Sequence, residues 1–202
     1  MSKARTKSEE KRILILNAAM KLFTEQGFST TSMDQIARQA GVSKQTVYSH
    51  FGNKEDLFVD AVGCKCVAHD LTAAMFEPGD NTPAQLLNIA ENFSRLLLSR
   101  ESIQVSRTCI SEAESYPELS RLFFAAGPER VIGLMSQLLQ QFDSRGQLRV
   151  PEPRFAAVQF LNMVHGEQRM RLELNAGGLL SDAEHQRYVQ DCVQMFLRAY
   201  AA

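Results

Sequence analysis

Three groupings in the sequence have residue types and spacing that could carry chemistry. The first is Lys44, Gln45, Thr46, Tyr48 and His50, gathered within IARQAGVSKQTVYSHFGNKEDLF at 36–58. The second is Cys64-x-Cys66. Positions i and i+2 of a helix do not face each other, and C-x-C is not the usual zinc spacing, so a structural role is the plainer reading. Cys109 and Cys192 read as buried small apolar residues. The third grouping, His165-Gly166-Glu167, has the H-x-E spacing of zinc deaminases but lacks their P-C-x-x-C partner. No metal and no cofactor are expected. Without a G-x-S-x-G, P-loop or dinucleotide fingerprint, an enzyme has little support.

The first grouping therefore carries the question, and the elements around it say how it is held. Ser32 and Gln35 form a capping box for a helix over about 33–40, which Gly41 ends with the positive φ that a tight interhelical turn needs. Ser43 caps a third helix, about 44–50, and Asn53 caps a fourth, whose early acids Glu55 and Asp56 suit the helix dipole. Ile36 and Ala40 face inward, Ala37 is small where two helices cross, and Val42, Val47 and Phe51 complete a miniature core. These are the requirements of a helix-turn-helix. Its outer face would then carry Ser43, Lys44, Gln45, Thr46, Tyr48, Ser49 and His50, a surface that fits the major groove of double-stranded DNA. Lys44 can donate to guanine or to a phosphate. Gln45 can pair with adenine, and Thr46 can offer a hydroxyl to a base or its methyl to thymine. Ser43, Tyr48, His50, Lys54 and Thr31 are better placed for phosphates, and Arg5 and Lys7 on the N-terminal tail could reach backbone or a minor groove.

The rest of the chain bounds the class. It has 202 residues, 45% of them apolar, enough for a packed core. No apolar run approaches the roughly 18 residues of a membrane span. The start, MSKARTKSEEKR, has no apolar segment of a secretory signal. Four cysteines without framework spacing point to reduced thiols in a cytoplasmic setting. Net charge is −1, yet residues 1–54 hold nine Lys/Arg against four acids, which leaves the remainder at −6. A basic first quarter on an acidic body marks either a local polyanion site or a solvated tail. The periodicity is helical throughout. Helices are expected over about 8–26, from 82 to about 100, 101–115, 118–142 with an interruption or kink at Gly127-Pro128, 153–175 and 182–200, the last opened by a Ser181/Glu184 box. The fold class is all-α with about nine helices. Two domains are expected, a helix-turn-helix unit over 1–55 and a helical body over 56–202.

ILNAAMKLFTEQGFSTTSMDQIARQAGVSKQTVYSHFGNKEDLF resembles the DNA-binding domain of the TetR/AcrR (tetracycline-repressor-like) regulators. The likeness runs without a gap from about Lys11 to Phe58. It rests on the ILxAAxxLF helix, Gly27-Phe28, Thr31, Ile36-Ala37, AGVSK at 40–44, and the Tyr-x-His-Phe and Lys-Glu-x-Leu ending. It implies that Thr31, Ser43, Lys44, Tyr48, His50 and Lys54 fall on positions that the family uses against DNA. Gln45 stands where a glycine is common in the family. ESYPELSRLFFAAGPERV, further on, resembles the AefR-type subset.

The resemblance also implies a homodimer and an effector pocket for a small molecule. Phe155 and Val158 on the 153–175 stripe, with Val189, Val193, Phe196 and Tyr200 on the last helix, are expected at the dimer interface, the alternative being internal core. Phe93, Leu97, Arg107, Ile110, Phe123, Phe124, Met135, Leu138, Phe160, Met163 and His165 are the expected pocket walls, with Arg107 able to anchor a carboxylate or carbonyl. The expected protein is a repressor released from its operator by a small apolar or amphipathic effector; a redox- or thiol-responsive regulator on the same fold is the alternative. Substituting Gln45→Ala should relax one operator position rather than weaken all sequences evenly, as measured by binding to operator variants and to random duplex.

Overall fold

The computed structural model describes residues 6–202. Within them lie ten α-helical segments and no strand: α1 Lys7–Gln26, α2 Met33–Ala40, α3 Lys44–Phe51, α4 Lys54–Ala68, α5 Thr82–Leu98, α6 Arg100–Ser111, α7 Pro117–Phe124, α8 Arg130–Ser144, α9 Pro153–Leu174 and α10 Asp182–Ala199. A five-residue π turn, Ala125–Glu129, joins α7 to α8, so the described residues hold nine helical stretches. At Gly127-Pro128 the α-helix gives way to this wider π turn, which absorbs the proline.

Local signals account for most helix starts. Ser32/Gln35 and Ser181/Glu184 form complete capping boxes, and Ser43 accepts from the Thr46 amide. Asn81 caps α5. Gln85 binds the preceding loop, donating to the Met75 and Glu77 carbonyls and accepting from the Gly79 amide. α4 ends at Ala68, and Asp70 at φ 59 turns the chain, so Leu71 lies beyond the helix.

Among the described residues the helices form two compact units, 6–64 with 104–126 and 65–103 with 127–202. The expected boundary at residue 55 falls within α4, in the first of these units. Leu57, Phe58, Ala61 and Val62 of α4 belong to the core of the first unit, as do Val105, Cys109 and Leu119. At the centre of that core, Phe23, Phe28 and Phe58 form a triangle with ring centroids 5.1, 5.7 and 5.5 Å apart.

The second unit buries Leu86, Ile89, Met135, Leu138, Phe142, Phe160, Val189, Val193 and Phe196 in one core. Its buried charge is Arg169, which donates to the Leu97 carbonyl, to Ser102 Oγ at 2.9 Å and to Glu173 at 2.7 Å. A guanidinium so fully bonded is tolerable away from water. α9 is two arms rather than the single helix expected. It kinks at Gly166, whose φ of 55° and ψ of −173° fall in a region that essentially only glycine adopts. A Cβ there would stand 2.8 Å from the Tyr188 hydroxyl oxygen. That hydroxyl donates to the Met163 carbonyl at 2.6 Å and so holds α10 to the bend. Gly166→Ala should therefore cost about 2–4 kcal/mol, read as a lowered midpoint of thermal unfolding against wild type.

Candidate nucleic-acid interface

The helix-turn-helix is built as its sequence pattern requires. Ile36, Ala37, Ala40, Val47 and Phe51 are buried, and Gly41 closes α2. Arg12 of α1 ties the module to α4 through Asp60 at 2.7 Å and lies over the Phe51 ring. What remains outward on α3 is a row of polar side chains.

Those side chains differ in how free they are. Gln45 is exposed and makes no hydrogen bond among the described residues. The same holds for the exposed Tyr48 hydroxyl and for the half-buried His50 ring. Ser43 and Thr46 share a hydroxyl–hydroxyl bond of 2.8 Å while Ser43 caps the helix. Each hydroxyl keeps acceptor capacity after that bond. Lys44 is exposed but paired, its ammonium 2.8 Å from Asp34 on α2. The hydrogen bond and charge of Asp34 push the Lys44 ammonium above its ordinary pKa. Asp34 was not anticipated. A clue lay in the sequence, since an acid at the start of α2 and a lysine at the start of α3 meet once the turn brings the two helices together.

Two residues expected at phosphates have internal partners. Thr31 is only 2% exposed, and its hydroxyl donates to the Gly27 carbonyl at 2.6 Å and accepts from Gln26. That oxygen serves the turn between α1 and α2 rather than the surface. Lys54 is half-buried, with its ammonium donating to the Phe28 carbonyl at 2.8 Å and the Thr31 carbonyl at 3.0 Å, 4.3 Å over the Phe28 ring. Burial holds its pKa below the usual lysine value. Lys54 is thus a clamp on the α1–α2 turn. Arg5 lies outside the described residues, and Lys7 is exposed at the start of α1.

The other side of the same turn is gripped by residues that local sequence reading did not single out. Glu112, just after α6, accepts from the Phe28 amide at 2.8 Å, the Ser29 amide at 3.2 Å and the Ser29 hydroxyl. Tyr116 stacks on Phe28 with centroids 5.4 Å apart and donates to Glu55 at 2.8 Å. These partners are 61 to 88 residues apart in sequence, so no local pattern could pair them.

The expected pocket walls are not gathered in one unit. Phe93, Leu97, Met135, Leu138, Phe160, Met163 and His165 lie in the second unit, and Arg107, Ile110, Phe123 and Phe124 lie in the first. Met135, Leu138 and Phe160 are wholly buried core, which leaves them no surface for a ligand. Ile110 and Phe124 are exposed. Burial, then the Arg169 charge, lowers the His165 pKa. The expected dimer residues also divide. Val189, Val193 and Phe196 are core of their own unit, because α10 turns that stripe onto α5 and α9. Phe155 is exposed, Val158 half-buried, and Tyr200 donates to Gln159 at 2.6 Å. An open, mainly apolar groove of about 460 Å³ runs beside them, lined by Gln159, Asn162, Met163, Met195, Phe196, Ala199 and Tyr200. Of the cysteines only Cys64 is exposed. Burial pushes the thiols of Cys66 and Cys192 up, and that of Cys109 to about 12. Thiolate at those three sites is scarce at neutral pH.

Because Lys54 spends its ammonium on two carbonyls, Lys54→Met should lower stability by about 1–3 kcal/mol in thermal unfolding. It should leave the salt dependence of DNA binding unchanged. A log–log slope reduced by about 0.9 would instead restore the phosphate role.

Known proteins are similar to both parts of the chain. Residues 15–61 match the family described as bacterial regulatory proteins, tetR family. Residues 84–202 match the AefR-like transcriptional repressor, C-terminal domain. The HTH-type transcriptional regulator HbdR of Aromatoleum sp. (strain CIB) is 53% identical over 49 residues, which span 24% of this chain and only 21% of HbdR. Two solved structures extend over nearly everything. A protein of Mesorhizobium loti MAFF303099, described as a TetR-family transcriptional regulator, superposes with a TM-score of 0.80 at 28% identity, covering 98% of this chain and 100% of that one. The flavonoid-responsive regulator FrrA superposes with a TM-score of 0.75 at 31% identity, covering 96% and 98%. With a helix-turn-helix at its head and an AefR-like domain over more than half its length, this chain belongs to the TetR family of DNA-binding transcriptional regulators.

Proposed function

We propose that this chain is a homodimeric repressor that leaves a palindromic operator when a small apolar or amphipathic molecule binds. The DNA half of this reading is carried by the outer face of α3, where the side chains of Gln45, Tyr48 and His50 make no hydrogen bond among the described residues. Gln45 reads a base, and Tyr48 and His50 hold phosphates that fix the register. Ser43 and Thr46 add shared hydroxyls at the helix start. Lys44 joins them by exchanging Asp34 for a phosphate or a guanine.

A single helix-turn-helix reads few base pairs, and a two-fold pair doubles the site. The exposed Phe155 and Met195, with the apolar groove between α9 and α10, support these helices as the surface for the second copy. The effector acts only through its different affinity for two conformations of the body. FrrA, flavonoid-responsive by its description and 31% identical, supports a planar amphipathic effector. The thiol-responsive alternative loses ground, because three of the four cysteines are buried with raised pKa values.

The test is selection of bound fragments from genomic DNA by the full chain. The expected product is a palindrome whose half-sites are about one helical turn apart or more. Enrichment of a lone half-site would remove the dimeric reading, and no enrichment at low salt would remove DNA reading altogether. With that operator in hand, planar polyphenols should raise the unfolding midpoint and release the DNA.

A further inference from the structure

We propose that Glu112 is a positioning residue for operator binding, a latch that sets the angle at which α2 and α3 leave α1. The proposal rests on the DNA-binding reading but assigns Glu112 no contact with DNA. Three donors from the α1–α2 turn converge on its carboxylate: the Phe28 and Ser29 amides and the Ser29 hydroxyl. The turn is shaped to receive it. Gly27 sits at φ +91°, and a Cβ there would stand 2.8 Å from the Glu112 carboxylate oxygen. On the opposite side the turn's carbonyls take the Lys54 ammonium. A charge-assisted bond to a carboxylate is about twice as strong as a neutral one, so exchanging the acid for an amide matters even at constant size.

The helix-turn-helix does not need Glu112 to fold. Its caps at Ser32 and Ser43 and its core of Ile36, Val47 and Phe51 are internal to residues 32–51. What Glu112 fixes is the hinge by which that module is attached. Tyr116, four residues on, holds the same hinge through the Phe28 ring and Glu55. The segment from Glu112 to Tyr116 therefore controls orientation rather than existence of the reading head.

The sign of the effect separates this role from simple charge. Removing an acid from a DNA-binding unit should, by Coulomb attraction alone, tighten binding to every sequence. Loss of orientation should weaken the operator and spare random DNA. The experiment compares full-length wild type, Glu112→Gln, Ser29→Ala and the double variant. Each is titrated onto the tightest duplex that wild type selects and onto a random duplex of equal length, with unfolding midpoints measured alongside. Glu112→Gln should bind the operator about tenfold more weakly, as expected for one lost charge-assisted bond, with random duplex unchanged or slightly tighter. Ser29→Ala, which deletes one exposed oxygen, should lose about two- to threefold, and the double variant should be no worse than Glu112→Gln. Equal tightening on both duplexes, equal weakening on both, or an indifferent Glu112→Gln would overturn the latch. Should Glu112→Gln fail to fold, additivity or indifference cannot hide, because Ser29→Ala with unchanged operator affinity also overturns it. A wild type that selects no duplex would sink the DNA-binding reading itself, a result distinct from any of these.

Discussion

The turn between α1 and α2 is held between opposite charges, and the reading head hangs from it. The Lys54 ammonium sits on the carbonyls of Phe28 and Thr31, and the Glu112 carboxylate sits on the amides of Phe28 and Ser29. Glu112 takes the amides of Phe28 and Ser29, while Lys54 takes the Thr31 carbonyl and shares the Phe28 carbonyl with the Thr31 amide. Phe28 is fixed at the same time in the ring triangle with Phe23 and Phe58 and by the stacked Tyr116. One residue thus has its amide, its carbonyl and its ring each held by a different part of the chain. The segment from Ser32 to Phe51 follows directly on that point, and is also held by its packing on α1 and by Arg12 over Phe51.

The second unit organises itself around a different kind of constraint. Its core is apolar and continuous, but the polar exceptions decide its shape. Arg169 is buried with each guanidinium nitrogen hydrogen-bonded, and Gly166 lets α9 bend toward the Tyr188 hydroxyl. Ser94 and the His185 Nε2 meet at 2.6 Å across α5 and α10, while His185 Nδ1 is buried without a partner. Burial keeps His185 below its ordinary pKa, so the neutral ring is the one that suits this place.

Much of this was legible in the sequence because it is local. The all-α class, the capping boxes at Ser32 and Ser181, the Ser43 cap and the miniature core at 36–51 follow from spacing within a few residues. What local spacing did not show has one cause, which is that burial is a property of the fold and not of the residue. Lys54 and Thr31 have the right chemistry for phosphate, yet a carbonyl pair and a glycine carbonyl had prior use for them. Val189, Val193 and Phe196 have an apolar period that serves a core as well as an interface, and here it serves the core. The boundary near residue 55 follows a change of charge sign, whereas the compact unit follows the packing of Val105, Cys109 and Leu119 onto the head. Nothing local joins residue 28 to residue 112.

The Lys44–Asp34 pair has a consequence for how such a head tells one site from another. Lys44 is the single lysine or arginine on α3, and it arrives at DNA already matched by an anion 2.8 Å away. The pair is therefore nearly neutral until it opens, and bulk attraction to the phosphate backbone gains little from it. In the proposed reading the hold on DNA comes mostly from neutral groups, Gln45 at a base and Tyr48 and His50 at phosphates. A head arranged in this way is slow to settle on the wrong sequence, because the ion that could hold it there would first have to give up a partner it already has.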